Sequence, residues 1–388
     1  MPPKKDINTT ENEKVETLDS IIERLKKNRK IYGSRSGNDI KSQDIITTSS
    51  FEFDQRIGGG FRTGGWSRFC SQEELGKTSI SLCWGRNWQE KYENGFVLYF
   101  NAEGRINKDL LERSGIDISP DKFRIVDTNS YESLYTITEG AILNNFEGRN
   151  YFVIVDSTDA CDRDAETVKD INKPEKMAGG AAMVSIIGKR LCLLFNVNRH
   201  HLFLCSQMRD RIIKNPKGNM PAGKAPSGGN APKHYSSLAA EIKRPWGDDY
   251  IRENPSDKKS RVIGRICSIK LEKTYNETSG TIVRYPIKYG LKGGIWKSYE
   301  SMMVAQACQI VVCPSKGAWW NFESSLFEDL KSKGIIVPEK IQGEAKLRDL
   351  FDSNPELVEY VFKKAEIVYS ANRYFLTLDI EDETNEAS

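Results

Sequence analysis

The sequence predicts an α/β protein with a mostly parallel, twisted sheet and a smaller α+β unit at its C-terminal end. Three observations carry this expectation. The runs "FVLYF" (96–100), "YFVIVD" (151–156) and "HLFLCSQ" (201–207) are continuously apolar, the pattern of strands buried on both faces. Helical patterns lie between them, which implies parallel crossover units. From Trp296 onward the character changes to short helical patterns such as "SSLFEDLKSKG" and "NPELVEYVFKKAEIVYSA", accompanied by the pair Trp319-Trp320. The expected division is residues 1–44, 45–294 and 295–388.

Taken in order, residues 1–14 are polar and read as disordered. Leu18, Ile21, Ile22 and Leu25 then follow the i, i+3, i+4, i+7 spacing of an amphipathic helix, whose apolar stripe calls for a partner that another subunit could supply. After the core strands come "RICSIKLEK" and "TIVRYPIKYG", also read as strands, and the chain closes on "DIEDETNEAS", five acids without a base.

Composition restricts the function classes. The formal charge of +3 on 388 residues makes nucleic-acid affinity a matter of local patches. No window approaches 18 uncharged apolar residues, and the first residues lack a secretory pattern, so a soluble intracellular protein without membrane partners is expected. The eight cysteines, with no C-x-x-C pair, read as reduced core residues, although Cys308 and Cys313 could pair in principle. His200 and His201 are assigned a helix-end role rather than metal binding.

The chemistry centres on "FCSQEELGKTSISL" (69–82). In a phosphate loop, backbone N–H groups and a helix N-terminus surround the phosphates, lysine reaches the β and γ phosphates, and a hydroxyl binds magnesium. Gly76, Lys77, Thr78 and Ser79 follow an apolar strand and open a helical pattern, the required context. Ser71 stands where the loop normally opens on glycine, and Glu73 and Glu74 are unusual beside phosphates. Gly188-Lys189 and Gly223-Lys224 have no Ser or Thr after the lysine. Asp156, ending "YFVIVD", can hold a magnesium shell. Glu103, after "FVLYF", can polarise the attacking water, and alone would read as a helix N-terminal charge. Gln207 ends a fourth strand at the same sheet edge, where ligands of open α/β sheets bind.

Beyond Gln207, residues 208–234 carry Arg209, Arg211, Lys214, Lys217, Lys224 and Lys233 against the single acid Asp210, with repeated Gly and Pro. Such a loop can follow a phosphate backbone, and alone it reads equally as a bare surface loop. "KDINKPEKMAGGAAM" is a second, weaker candidate loop.

These motifs, in this order, resemble the RecA recombinases of bacteria and their bacteriophage relatives, from about Leu25 onward. "GGGFRTGG" looks like the family's glycine turn, "NAEG" its glutamate segment, "VIVDST" its magnesium strand and "CSQMRD" its glutamine strand. "SGGNAPKHYSS", with Gly228, Gly229, Asn230 and Lys233, is similar to the close of its second DNA-binding loop. "LEKTYNE" resembles the segment that inserts a lysine into the neighbouring subunit's ATP site, which implies that role for Lys273. "GAWWNFE" and the acidic end resemble its small domain and regulatory tail.

The resemblance implies a RecA-like ATPase core with an N-terminal oligomerisation helix. It also implies ATP and Mg2+ as cofactors and a helical filament on single-stranded DNA that pairs with homologous duplex. The setting would be the cytoplasm of a bacterial or phage-infected cell. Leu110 replaces an aromatic that stacks on adenine, and Lys270 is out of register with the second interface lysine. A filament protein that binds DNA but does not turn over ATP, or an ATPase acting on proteins, are the alternatives.

Overall fold

The computed structural model describes residues 16–28, 34, 36–39, 42–164, 179–210, 224–226, 231–315 and 319–371. The expectations for residues 1–14 and for the acidic end lie outside them. The chain divides into two compact units, residues 1–42 and 43–388. In the first, α1 (Leu18–Lys27) starts where the Thr17 hydroxyl accepts a hydrogen bond from the Ser20 N–H, and it buries none of its residues.

The second unit is built on a sheet of ten strands. Six run parallel, in the spatial order β9 (Leu238–Ile242), β3 (Trp66–Ser71), β7 (His201–Asp210), β6 (Asn150–Asp156), β4 (Gly95–Asn101), β5 (Phe123–Val126). Beyond β9 the sheet turns antiparallel through β11 (Val262–Lys273), which pairs with β10 (Tyr250–Arg252) and β12 (Ile282–Lys288). A short strand, β8 (Lys224–Pro226), folds back on the far end of β7. The small β1 (Ile45–Ile46) and β2 (Phe61–Arg62) pair separately.

The strands are apolar throughout because both faces are covered. On one face α3 (Lys77–Lys91) sets Trp84 and Trp88 against the sheet. Trp84 stacks on Phe61 at 4.5 Å and meets Phe69 and Phe203 edge-on, and Trp88 lies over Phe152. On the other face lies α6 (Gly179–Asn198), preceded along the chain by α2 (Phe51–Ile57), α4 (Lys108–Ser114) and α5 (Tyr131–Leu143). Gly188 lies within α6 because α7 (Ala231–Tyr235) crosses it closely; a Cβ there would sit 2.5 Å from the Tyr235 ring. That contact gives Gly188-Lys189 a packing role in mid-helix.

His201 is fully buried in β7. Its ring nitrogens meet the Arg62 carbonyl at 2.9 Å and the Ser67 hydroxyl at 3.0 Å, and burial lowers its pKa to about 3. It is a core histidine of the sheet, whereas its neighbour His200 does close the end of α6, through an N–H bond to Phe195 O. None of the eight cysteines is in a disulfide.

A second apolar cluster gathers Trp296, Met302, Leu330, Phe351, Leu357 and Val361. It joins α8 (Lys297–Ala307), α9 (Ser324–Ser332), α10 (Glu344–Ser353) and α11 (Pro355–Ala371). With them stands the antiparallel sheet of β13 (Val311–Ser315), β14 (Trp319–Phe322) and β15 (Lys340–Gln342). Trp319 and Trp320 lie in the middle strand of that sheet, between α8 and α9 along the chain. No helix among the described residues is long and apolar enough to cross a membrane.

Candidate active site

Strand register assembles the site. Ser71 pairs with Gln207 across β3 and β7, and Asn101 pairs with Asp156 across β4 and β6. Val155 pairs with Leu204 across β6 and β7, so the two pairs lie two residues apart along the sheet, and all four strands point their C-terminal ends to the same edge.

Ser71 is the buried, extended last residue of β3, so no glycine is required at that position. The left-handed backbone falls instead on Glu74 (φ 60°) and Gly76 (φ 98°), which opens α3. Only glycine takes such a φ without steric cost. Lys77 Nζ donates to Ser71 Oγ at 2.9 Å and to Gln72 O at 3.1 Å, lying across the mouth of the loop. Glu73 and Glu74 are exposed, and Ser79 is exposed on the first turn of the helix.

Thr78 Oγ1 donates to Asp156 Oδ2 at 2.5 Å, and the Tyr99 hydroxyl donates to the same oxygen at 2.8 Å. Burial, and then the Asp156 carboxylate, raise the Tyr99 phenol well above its ordinary pKa, so it remains a donor. A hydroxyl and a carboxylate brought together are hard oxygen donors of the kind Mg2+ takes, so these two residues fit that ion. No cluster of three or more His, Cys, Asp or Glu suited to another metal occurs among the described residues.

Glu103 links the remaining strands. Its Oε1 accepts from Gln207 Nε2 at 2.9 Å and from the Ser157 hydroxyl, and Arg105 lies 3.4 Å from its Oε2. The Gln207 N–H donates to Asp159 Oδ2 at 2.7 Å. Tyr99, Ser157 and Asp159 escaped the sequence reading. Ser157 and Asp159 are near neighbours of Asp156 in "VDSTD", whereas Tyr99 lies inside an apolar strand with nothing to single it out.

Beside the loop is a cavity of about 390 Å3, whose walls include Leu75, Gly76, Leu110, Arg265 and Tyr289. Leu110, the departure noted at the expected aromatic position, thus borders it. Arg265 Nη2 donates to Leu75 O at 3.1 Å; an arginine inside an alternating strand gives no sequence signal of such a contact.

Lys273, at the end of β11, is not among these groups within its own chain. Its Nζ donates to His234 O at 2.9 Å and lies 3.4 Å from Lys233 O, at the end of α7; burial lowers its pKa. Lys233 itself pairs with Glu272 at 3.4 Å. Arg209 and Lys224 belong to the hairpin of β7 and β8, since β7 runs three residues past Gln207 and pairs Arg209 with Ala225 and Asp210 with Lys224. Arg211, Lys214, Lys217, Gly228, Gly229 and Asn230, and most of the second candidate loop, lie outside the described residues.

The model of the RecA N-terminal domain family matches residues 17–285. The chain belongs to the RecA family. Similar relatives of this RecA-family chain include the protein RecA of Cytophaga hutchinsonii, 24% identical over 362 residues, covering 90% of each chain. That of Helicobacter hepaticus is 24% identical over 321 residues, covering 77% of this chain and 88% of the relative. For Helicobacter pylori the identity is 26% over 307 residues, covering 73% and 83%. Family membership agrees with the parallel core of the sheet and the strand, loop and helix around Lys77.

Proposed function

We propose that this protein is an ATP-dependent DNA recombinase. It forms a helical filament on single-stranded DNA, pairs it with homologous duplex and hydrolyses ATP in response to DNA. The observation that carries this reading is the double engagement of Gln207. Its side chain holds Glu103, and its strand continues directly into the basic hairpin. A change at the nucleotide therefore has a two-residue path to the DNA-binding segment.

In this reading Gly76 and the following N–H groups of the loop hold the phosphates, and Lys77 leaves Ser71 to offset their charge. Mg2+, held by Thr78 and Asp156, would neutralise charge on the phosphate oxygens. Glu103 accepts a proton from the attacking water and Gln207 reports the γ-phosphate. Lys273 would serve the adjacent subunit's site, exchanging backbone carbonyls for a phosphoryl oxygen. Arg209, Arg211, Lys214, Lys217, Lys224 and Lys233 would contact the DNA backbone, with Gly228, Gly229 and Asn230 allowing close approach. Residues 1–44 would pack on a neighbouring core, 45–294 would be the ATPase core, and 295–388 the small domain.

The test is phosphate release with and without single-stranded DNA. DNA is expected to stimulate it, and Lys77→Ala to abolish it; activity indifferent to DNA overturns the proposal. The exposed acids Glu73 and Glu74 beside the loop favour a second reading, a filament protein with little or no turnover. Filaments on DNA without phosphate release, and DNA binding unaltered by Glu103→Gln, would decide for it.

A further inference from the structure

We propose that Arg265 is a positioning residue of the phosphate loop, locking the Leu75–Gly76 peptide so that the Gly76 N–H faces a bound nucleoside triphosphate. The inference rests on the nucleotide-site reading above and adds a residue on β11, which no loop motif includes.

The argument starts from peptide geometry. In a trans peptide the carbonyl and the following N–H point in opposite directions. The Leu75 carbonyl is drawn outward, to the half-buried Arg265 guanidinium at 3.1 Å. The Gly76 N–H must therefore point to the opposite side. This peptide needs such a lock more than most. Gly76 has φ 98° and no Cβ, so rotation of the plane before it meets little steric resistance. Turned over, it would present a carbonyl oxygen to phosphate oxygens, which repels where the N–H attracts.

The residues around it increase the need. Glu74, at φ 60°, holds a side chain where L residues seldom go. With Glu73 it also adds negative charge beside the place for a polyphosphate. A guanidinium at the loop's outer wall counters that charge. It is anchored from a strand paired on both sides, with Tyr250 of β10 and Ile287 of β12 opposite Arg265, which fixes its base.

The measurement is nucleotide affinity, by displacement of a fluorescent ATP analogue with ATP and with GTP, alongside steady-state hydrolysis and thermal unfolding. For Arg265→Met the dissociation constants for ATP and GTP are both expected to rise about ten-fold, the loss of one hydrogen bond to a charged donor. KM should rise similarly with kcat changed less, and the unfolding temperature of the unliganded protein should hold. If Arg265→Met does not fold, Arg265→Lys, which keeps the charge but not the fork, is read in the same way. Unchanged affinity overturns the inference, and so does a loss confined to one nucleotide, which would mean contact with the base. Failure of the wild-type protein to bind either nucleotide would overturn the nucleotide-site reading itself, and this inference with it.

Discussion

Gln207 concentrates the chemistry at the scale of single residues. Its side-chain amide donates to Glu103, while its backbone N–H is tied to Asp159. Gln207→Ala removes the first bond and leaves the second. The expected outcome is that single-stranded DNA stimulates ATP hydrolysis at least about ten-fold less, while ATP affinity shifts little, because the side chain touches Glu103 and not the loop. Equilibrium ATP binding beside stimulated hydrolysis separates the two. Lys77, Thr78, Asp156, Glu103 and Gln207 were all legible in the sequence, because each lies in a motif that closes or follows an apolar run or opens a helical pattern. Tyr99 and Arg265 were not. Tyr99 lies within a continuously apolar strand and Arg265 within an alternating one, patterns that account for them fully, and the polar contact of each depends on a neighbour far away in sequence.

Among elements, the junction of α2 with α8 and α11 carries an unusual charge arrangement. Glu300, fully buried on α8, accepts from Ser50 Oγ at 2.5 Å and from the Glu52 N–H at 3.1 Å, so it caps the first turn of α2. Glu52 in turn pairs with Arg56 at 2.9 Å and accepts from the Tyr369 hydroxyl of α11. Burial, partly offset by these donors, raises the Glu300 carboxyl to about 7. A folded-state pKa above the unfolded value gives stability that is complete below about 4.5 and is lost as pH rises through about 7. Glu300 alone contributes roughly 3 kcal/mol to this slope, and Asp54, raised by burial to about 6, adds in the same direction. Denaturant unfolding across pH 4.5–7.5 is expected to show a clearly smaller slope in Glu300→Gln, whose amide does not titrate. An equal slope would place the titration elsewhere.

The same scale explains which elements the sequence revealed. The long apolar strands announced themselves, but β9, "LAAEI", did not. Alanine and glutamate have weak strand preference, and it is packing between β3 and β11 that makes this segment a strand. The extension of β7 to Asp210 was missed for a similar reason, since its partner there among the described residues is the short β8.

For the whole molecule, the open matter is assembly. The apolar stripe of α1 is not buried, with Leu18 72% exposed, and Phe146 on the second unit is 94% exposed. If residues 1–42 join one subunit to the next, a chain that starts at Gln43 should stay monomeric in sedimentation at concentrations where the full chain associates. It should retain ATP binding, since the phosphate loop and its cavity lie wholly within residues 43–388. Association equal to that of the full chain would assign the contact to other surfaces.

The register that brings Ser71, Gln207, Asp156 and Asn101 to one sheet edge also limits how such a chain can diverge. Residues added in the connections at the opposite ends of these strands, away from the phosphate loop and Glu103, change only loop length. One residue added inside β3, β4, β6 or β7 would carry its terminal group about 3.3 Å along the sheet and turn it to the opposite face. A substitution on these strands leaves that register intact, whereas a change of spacing within any of the four moves a group of the site.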